Sequence, residues 1–140
     1  MEDVKQQLIS LLSEAGQLEY RAIVYYTRYA QEIEDPVLAQ ELRNIGQMEV
    51  RHSHQLMGVI ITLGGLPEWE LPPPPWYAGV EDIIRSSLEG ERRSIEQYDR
   101  CLEVIEDPEL RHRIEQIKRD EFYHIERLTA LLDNLERTAE

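Results

Sequence analysis

The sequence contains the same unit twice. Ile33-Glu34-Asp35-Pro36-x-Leu38 returns 72 positions later as Ile105-Glu106-Asp107-Pro108-x-Leu110. Asp before Pro is a helix-start signal, because the carboxylate accepts from free N–H groups of the first turn and proline fits the first helical position. The same proline stops the preceding helix. Each copy is therefore a helix end followed at once by a helix start, which makes an antiparallel hairpin. Apolar residues recur at alternating three- and four-residue steps through nearly the whole chain, the amphipathic-helix pattern. The spacing predicts helices over about 3–33, 36–63, 79–105 and 108–138. The expected fold is all-α, a four-helix bundle of two antiparallel hairpins.

Residues 64–78 join the hairpins, opening with Gly64-Gly65 and carrying four consecutive prolines, Pro72 to Pro75. This stretch cannot be helix interior. In polyproline geometry it gains about 3.1 Å per residue, roughly 45–50 Å in all. A helix of about 28 residues is roughly 42 Å long. The connection can thus cross the whole bundle and set the second and third helices parallel. The alternative, a hinge between separate hairpins, is disfavoured because a lone hairpin buries little core. Trp69, Trp76 and Tyr77 are expected to anchor the crossover, with a subunit interface as the other reading. At 140 residues the chain suits one domain spanning 1–140.

The repeat also carries chemistry. At the 72-residue offset Glu19 matches Glu91, Tyr26 matches Tyr98, Glu49 matches Glu121 and His52 matches His124. All six acids and histidines fall inside apolar stripes: Leu8, Leu12, Ala15, Glu19, Ala22, Tyr26 on the first helix, and Leu38, Leu42, Ile45, Glu49, His52, Leu56, Val59 on the second. The third reads Ile84, Leu88, Glu91, Ile95, Tyr98, Leu102, Ile105, and the fourth Leu110, Ile114, Ile117, Glu121, His124, Leu128. Each first glutamate lies sixteen residues before its Asp-Pro aspartate and each second fourteen after it. Antiparallel hairpins bring all six to one level. Four ionised carboxylates buried together cost several kcal/mol each and repel one another, and no Lys or Arg occupies the stripes to balance them. Two divalent cations would. A glutamate from each of two helices with Glu-x-x-His from each of the others is the recurring di-iron or di-manganese donor set of bundles. The bland alternative, glutamates facing solvent, would require the helix phase to be misjudged at six positions. Tyr26 and Tyr98, two turns beyond Glu19 and Glu91, either hydrogen-bond a ligand carboxylate or simply pack the core. His54 and His112 read as surface histidines, and Cys101 as a half-buried filler.

Fifteen basic against 28 acidic side chains give a net charge of −13. A surface that negative repels phosphate backbones and anionic headgroups, so neither nucleic acid nor a membrane is an expected partner. The single cysteine allows no internal disulfide. The first residues lack the basic flank and apolar run of a signal peptide, and the longest apolar run, Val59-Ile60-Ile61, is far too short to span a bilayer. The expected location is cytoplasmic.

Leu18-Glu19-Tyr20-Arg21-Ala22-Ile23, Glu49-Val50-Arg51-His52 with Gly65-Leu66-Pro67, Glu91, and Asp120-Glu121-Phe122-Tyr123-His124 resemble the four helix motifs of the ferritin-like di-iron superfamily, near bacterioferritin and rubrerythrin. The resemblance covers nearly the whole chain. It implies that Glu49 and Glu121 bridge two iron ions, with Glu19 and Glu91 as terminal ligands and one histidine on each. It also implies that Asp120 orients His52 from the opposite hairpin. Asp120 is matched in the repeat by Met48, so His124 would face a thioether instead of a carboxylate. Departures narrow the expectation. The haem-binding methionine of bacterioferritin is Val50 here, so haem is not expected. The additional third-helix glutamate of rubrerythrin is Ser94. The leading expectation is a peroxidase or ferroxidase acting on peroxide or dioxygen, with a separate electron donor, as a homodimer or similarly small oligomer. An iron-storage cage and a manganese catalase relative are the alternatives. The donor set also accepts manganese or zinc.

Overall fold

In the computed structural model, which describes residues 2–138, the chain forms four helices: α1 (Glu2–Glu32), α2 (Pro36–Thr62), α3 (Val80–Val104) and α4 (Pro108–Thr138). Met1 and residues 139–140 of the expected bundle lie outside the described residues. The helix bounds sit within a residue or so of those expected. Both Asp-Pro junctions cap as their chemistry requires. Asp35 accepts from Val37 N at 2.9 Å and Leu38 N at 3.4 Å, and Asp107 accepts from Leu110 N at 2.8 Å. The α2 C-terminus closes on glycine. Gly64 has φ +90°, its N–H donates to Ile61 O, and the N–H of Gly65 donates to Ile60 O, both at 2.9 Å. That paired arrangement satisfies the last carbonyls and requires the left-handed conformation that glycine adopts without strain.

α1 packs on α2 and α3, and α4 packs on α3 and α2, leaving α2 and α3 diagonal. Contacts between α1 and α3 run in opposite chain senses: Tyr26 meets Glu91, and Gln97 meets Leu11. The same holds between α2 and α4, where Met48 meets His124 and His52 meets Asp120. With both hairpins antiparallel as well, α2 and α3 are parallel, as the long crossover allows. The apolar core is in two pieces. One gathers Tyr29, Leu42, Ile45, Ile84 and Leu128 near the Asp-Pro turn of the first hairpin. The other gathers Leu12, Leu56, Ile60, Ile114 and Ile117 at the opposite end. On α2 the stripe turns slightly from that expected, with Ile60 fully buried and Val59 only partly so. Cys101 is wholly buried, not half-buried.

The crossover lies along α1. Gln17 both donates to Glu70 O (2.8 Å) and accepts from Glu70 N (2.7 Å), and Tyr25 Oη donates to Pro73 O at 3.0 Å. Trp69 packs on the second core cluster and Tyr77 on the first, where its ring meets Tyr29 edge-on with centroids 5.4 Å apart. Trp76 does not anchor anything. It is 81% exposed, while the next residue, Tyr77, turns inward. The indole of Trp69 rests so close to Gly16 that a Cβ there would lie 2.2–2.8 Å from three ring atoms.

Gly58, on α2, has nothing within 4 Å of its Cβ position. Gly58→Ala should therefore raise stability by up to about 1 kcal/mol through helix propensity. Gly16→Ala gains the same propensity but must displace the indole, losing about 1–3 kcal/mol of packing. Thermal melts should rank Gly58→Ala above wild type and Gly16→Ala below Gly58→Ala, with a red shift of tryptophan emission only in the latter. Equal melting temperatures and spectra for the two variants would show that Trp69 is not seated there.

Candidate metal centre

Between the two apolar clusters lies a layer of charged and polar side chains. Glu19 from α1, Glu49 from α2, and Glu121 and His124 from α4 are 0% exposed, and Glu91 on α3 and His52 on α2 nearly so. Helix geometry puts them there: Glu49 and His52, like Glu121 and His124, are three residues apart and project on one face. All six sequence-predicted residues are thus brought to one level. Donor atoms of Glu19, Glu49, His52 and Glu121 lie within 4.8 Å of one another, and so do those of Glu49, Glu91, Glu121 and His124. Glu49 and Glu121 belong to both groups, so the layer is two adjoining four-donor nests sharing a pair of carboxylates.

Both imidazoles present Nδ1 to the layer. His52 Nδ1 lies 3.0 Å from Glu19, 3.1 Å from Glu49 and 3.3 Å from Glu121. His124 Nδ1 lies 3.3–3.5 Å from Glu121, Glu91 and Glu49. Their outer nitrogens differ. His52 Nε2 meets Asp120 Oδ2 at 2.9 Å, a carboxylate half open to solvent, whereas His124 Nε2 meets Met48 Sδ at 3.2 Å. Thioether sulfur is a weak acceptor. Tyr26 Oη donates to Glu91 Oε1 at 2.8 Å, across the bundle and not to the glutamate on its own helix. Tyr98, its repeat equivalent, is fully buried beside Glu19 but closes no hydrogen bond. His54 and His112 are exposed.

The electrostatics of the layer are unbalanced. Among the described residues no Lys or Arg is buried. Burial, and then repulsion by Glu121, Glu19 and Glu91, holds the Glu49 carboxyl well above its ordinary value. Burial, Glu19 and Glu91 do the same to Glu121. For His52 burial works downward, but the close carboxylates of Glu121, Glu19 and Glu49 outweigh it and lift the imidazolium's pKa. The Glu91 carboxylate, 3.4 Å from Nδ1, lifts that of His124, again against burial. Even so, Glu19 Oε1, both oxygens of Glu49 and Glu121, Glu91 Oε2 and His124 Nδ1 are buried without a hydrogen-bond partner. Orphaned buried acceptors in this number are rare in proteins, and two divalent cations fit them: hard oxygen and imidazole donors, four to each nest, all facing inward.

The ferritin-like domain family model matches residues 9–138. Among solved structures, a ferritin-like diiron-carboxylate protein of Bacillus anthracis superposes with a TM-score of 0.88 at 27% identity, covering 94% of this chain and 99% of that one. A bacterioferritin of Desulfovibrio desulfuricans superposes with a TM-score of 0.89 at 25% identity over 97% of this chain and 84% of that one. A Rhodobacter capsulatus bacterioferritin gives 0.86 at 22% identity, over 94% and 87% of the respective chains, a likeness of fold alone. The sequence matches none of the curated proteins. No described helix is long and apolar enough to cross a membrane.

The layer sets a pH dependence. A carboxyl whose folded pKa is raised destabilises the folded state increasingly as pH climbs above its ordinary value of 4.5. A histidine with raised folded pKa contributes stability below 6.5 that declines as pH rises towards its folded value. Both signs agree, so metal-free protein should melt at a lower temperature near pH 8 than near pH 5. Protein loaded with a divalent metal carries the same surface charge but needs its donors deprotonated, and should show a reduced or reversed slope. Parallel melting curves for the two forms would overturn this account.

Proposed function

The chain belongs to the ferritin-like domain family, and from that premise we propose that it binds two iron ions in the buried layer and uses them to reduce peroxide or dioxygen. The observation that carries the proposal is the pair of four-donor nests that share Glu49 and Glu121. Glu49 and Glu121, common to both nests, would hold the two ions close together. When bound, such a pair supplies two electrons to an O–O bond together, so that no radical escapes. Glu19 and His52 complete one nest, Glu91 and His124 the other. Tyr26 holds Glu91 in place through its hydrogen bond. Tyr98 stands next to Glu19, the repeat equivalent of that pair. A separate electron donor completes this reading. The expected assembly is a homodimer or another small oligomer, without haem. Rubrerythrin-like peroxidase and ferroxidase activity are the two forms of this reading.

Iron storage is the second reading, favoured by the likeness to the Desulfovibrio bacterioferritin. Particle mass and iron content separate the two. A small oligomer with two iron atoms per chain that consumes peroxide on ferrous loading supports the redox reading. A large shell carrying hundreds of iron atoms would establish storage instead.

The donor geometry gives a sharper expectation. Asp120 accepts from His52 whereas His124 has only Met48, and a carboxylate partner of this kind is typically worth about 10–100-fold in metal affinity. Calorimetric titration with a divalent metal should resolve two steps of unequal affinity. Asp120→Asn should weaken the tighter step and Met48→Asp should strengthen the weaker one, while Glu49→Ala or Glu121→Ala should impair both. One ion per chain, or two equal steps indifferent to Asp120→Asn, would remove the two-nest assignment or its asymmetry respectively.

A further inference from the structure

The 72-residue repeat maps the α1–α3 seam onto itself, so the stretches of seam on either side of the carboxylate layer are built from equivalent positions. They are not filled alike. On one side Gln97 plugs the seam. It is buried, its amide donates to Leu11 O at 2.9 Å and to Glu14 at 3.1 Å, and its oxygen accepts from Arg100 at 2.8 Å. The equivalent position on the other side is Tyr25, whose hydroxyl instead reaches the crossover at Pro73. Leu18 lines this side too, and Gly90, its repeat equivalent, offers no side chain there: a Cβ would meet nothing within 4 Å. That half of the seam stays open as a cavity of about 440 Å³, within the usual range for small-molecule sites.

Three features give the cavity a preference. Its inner wall includes Tyr26, Glu49 and Glu91, so an occupant lies against the donor layer. Its outer wall is the rigid Pro74-Pro75-Trp76 stretch, which holds an exposed indole beside Tyr25 and Tyr29. Arg21, Arg85 and Arg93 also line it, in a chain whose net charge is −13. Arg21 and Arg93 are equivalents in the repeat. Arg21 stacks on Tyr25 with 5.0 Å to the ring centroid and has no carboxylate partner among the described ion pairs. Arg93 and Arg85 pair with exposed Glu89 (3.4 Å) and Glu136 (2.6 Å), contacts weak enough for a better-placed anion to replace. Guanidinium groups at the mouth repel a ferrous ion, and a neutral oxidant has no need of them. Planar guanidinium forks suit a carboxylate, and aromatic faces suit a flat organic body.

We propose that this cavity is a binding site for a small aromatic carboxylate, its acid group held by Arg21 and Arg93 and its ring lying against Tyr29 and Trp76. That such a ligand serves the metal pair rests on the function proposed above; the binding itself does not. Benzoate is the probe, titrated by calorimetry and tryptophan fluorescence into metal-free and zinc-loaded protein. Saturable binding at one site per chain is expected in both forms. Benzyl alcohol, which lacks the charge, should bind at least about tenfold more weakly, and Arg21→Ala should lower benzoate affinity by about the same factor. Gly90→Leu grows into open space and improves helix propensity. It should abolish benzoate binding with the melting temperature and zinc content kept. Absence of saturation in the wild type, undiminished binding in Gly90→Leu, equal binding of the alcohol, or binding that requires zinc would each overturn the site. Benzoate binding by a wild type that fails to hold zinc would leave the site standing and remove the metal reading alone.

Discussion

Four carboxylates buried in the middle of a helical core dominate the energetics of this bundle. Two unit charges about 4 Å apart interact by roughly 4 kcal/mol even at an effective dielectric constant near 20. Here Glu19, Glu49, Glu91 and Glu121 sit within one layer, with only His52 and His124 to offset them. Such a layer holds together only if protons or metal ions supply positive charge. Everything else in the architecture serves to keep it in place: an apolar cluster above, another below, and capped turns that fix the level of each glutamate relative to its Asp-Pro junction.

Duplication accounts for the near-symmetry of the layer, and the departures from duplication account for its chemistry. The two Glu-x-x-His units give each nest the same inner donors. Outside the nests, an aspartate in one hairpin faces a methionine in the other. A carboxylate that accepts from the distal imidazole nitrogen fixes the ring and raises its basicity; a thioether does so weakly. The α1–α3 seam follows the same logic, with Gln97 plugging one half and Tyr25 and Gly90 leaving the other open. A symmetric scaffold thus acquires two unlike halves through a few side-chain differences.

The crossover is more than a tether. Its proline run is extended and stiff, and its contacts with Gln17, Gly16 and Tyr25 lay it along α1. Beyond the proline run Trp76 faces solvent and Tyr77 the core. Placed over the open half-seam, the strap turns a groove between two helices into a walled cavity beside the donor layer.

The sequence by itself determined the helices, their pairing into hairpins and the six side chains that meet in the buried layer. Each of these rests on a local or periodic signal: an Asp-Pro cap, a three- and four-residue apolar step, a fixed spacing from each cap. Trp69 and Gly16 illustrate the limit. Nothing in either residue's neighbourhood marks the other, because they lie 53 positions apart and meet only when the crossover folds back on α1. The partner of Tyr26 was equally hidden. Helical spacing placed its phenol near a carboxylate, but only packing across α1 and α3 chose Glu91 over Glu19. The exposure of Trp76 and the cavity beside Gly90 were likewise left to tertiary structure. Whether a side chain fills a space or leaves it empty depends on what four helices and a strap bring to that point together, and no periodicity along one segment encodes it.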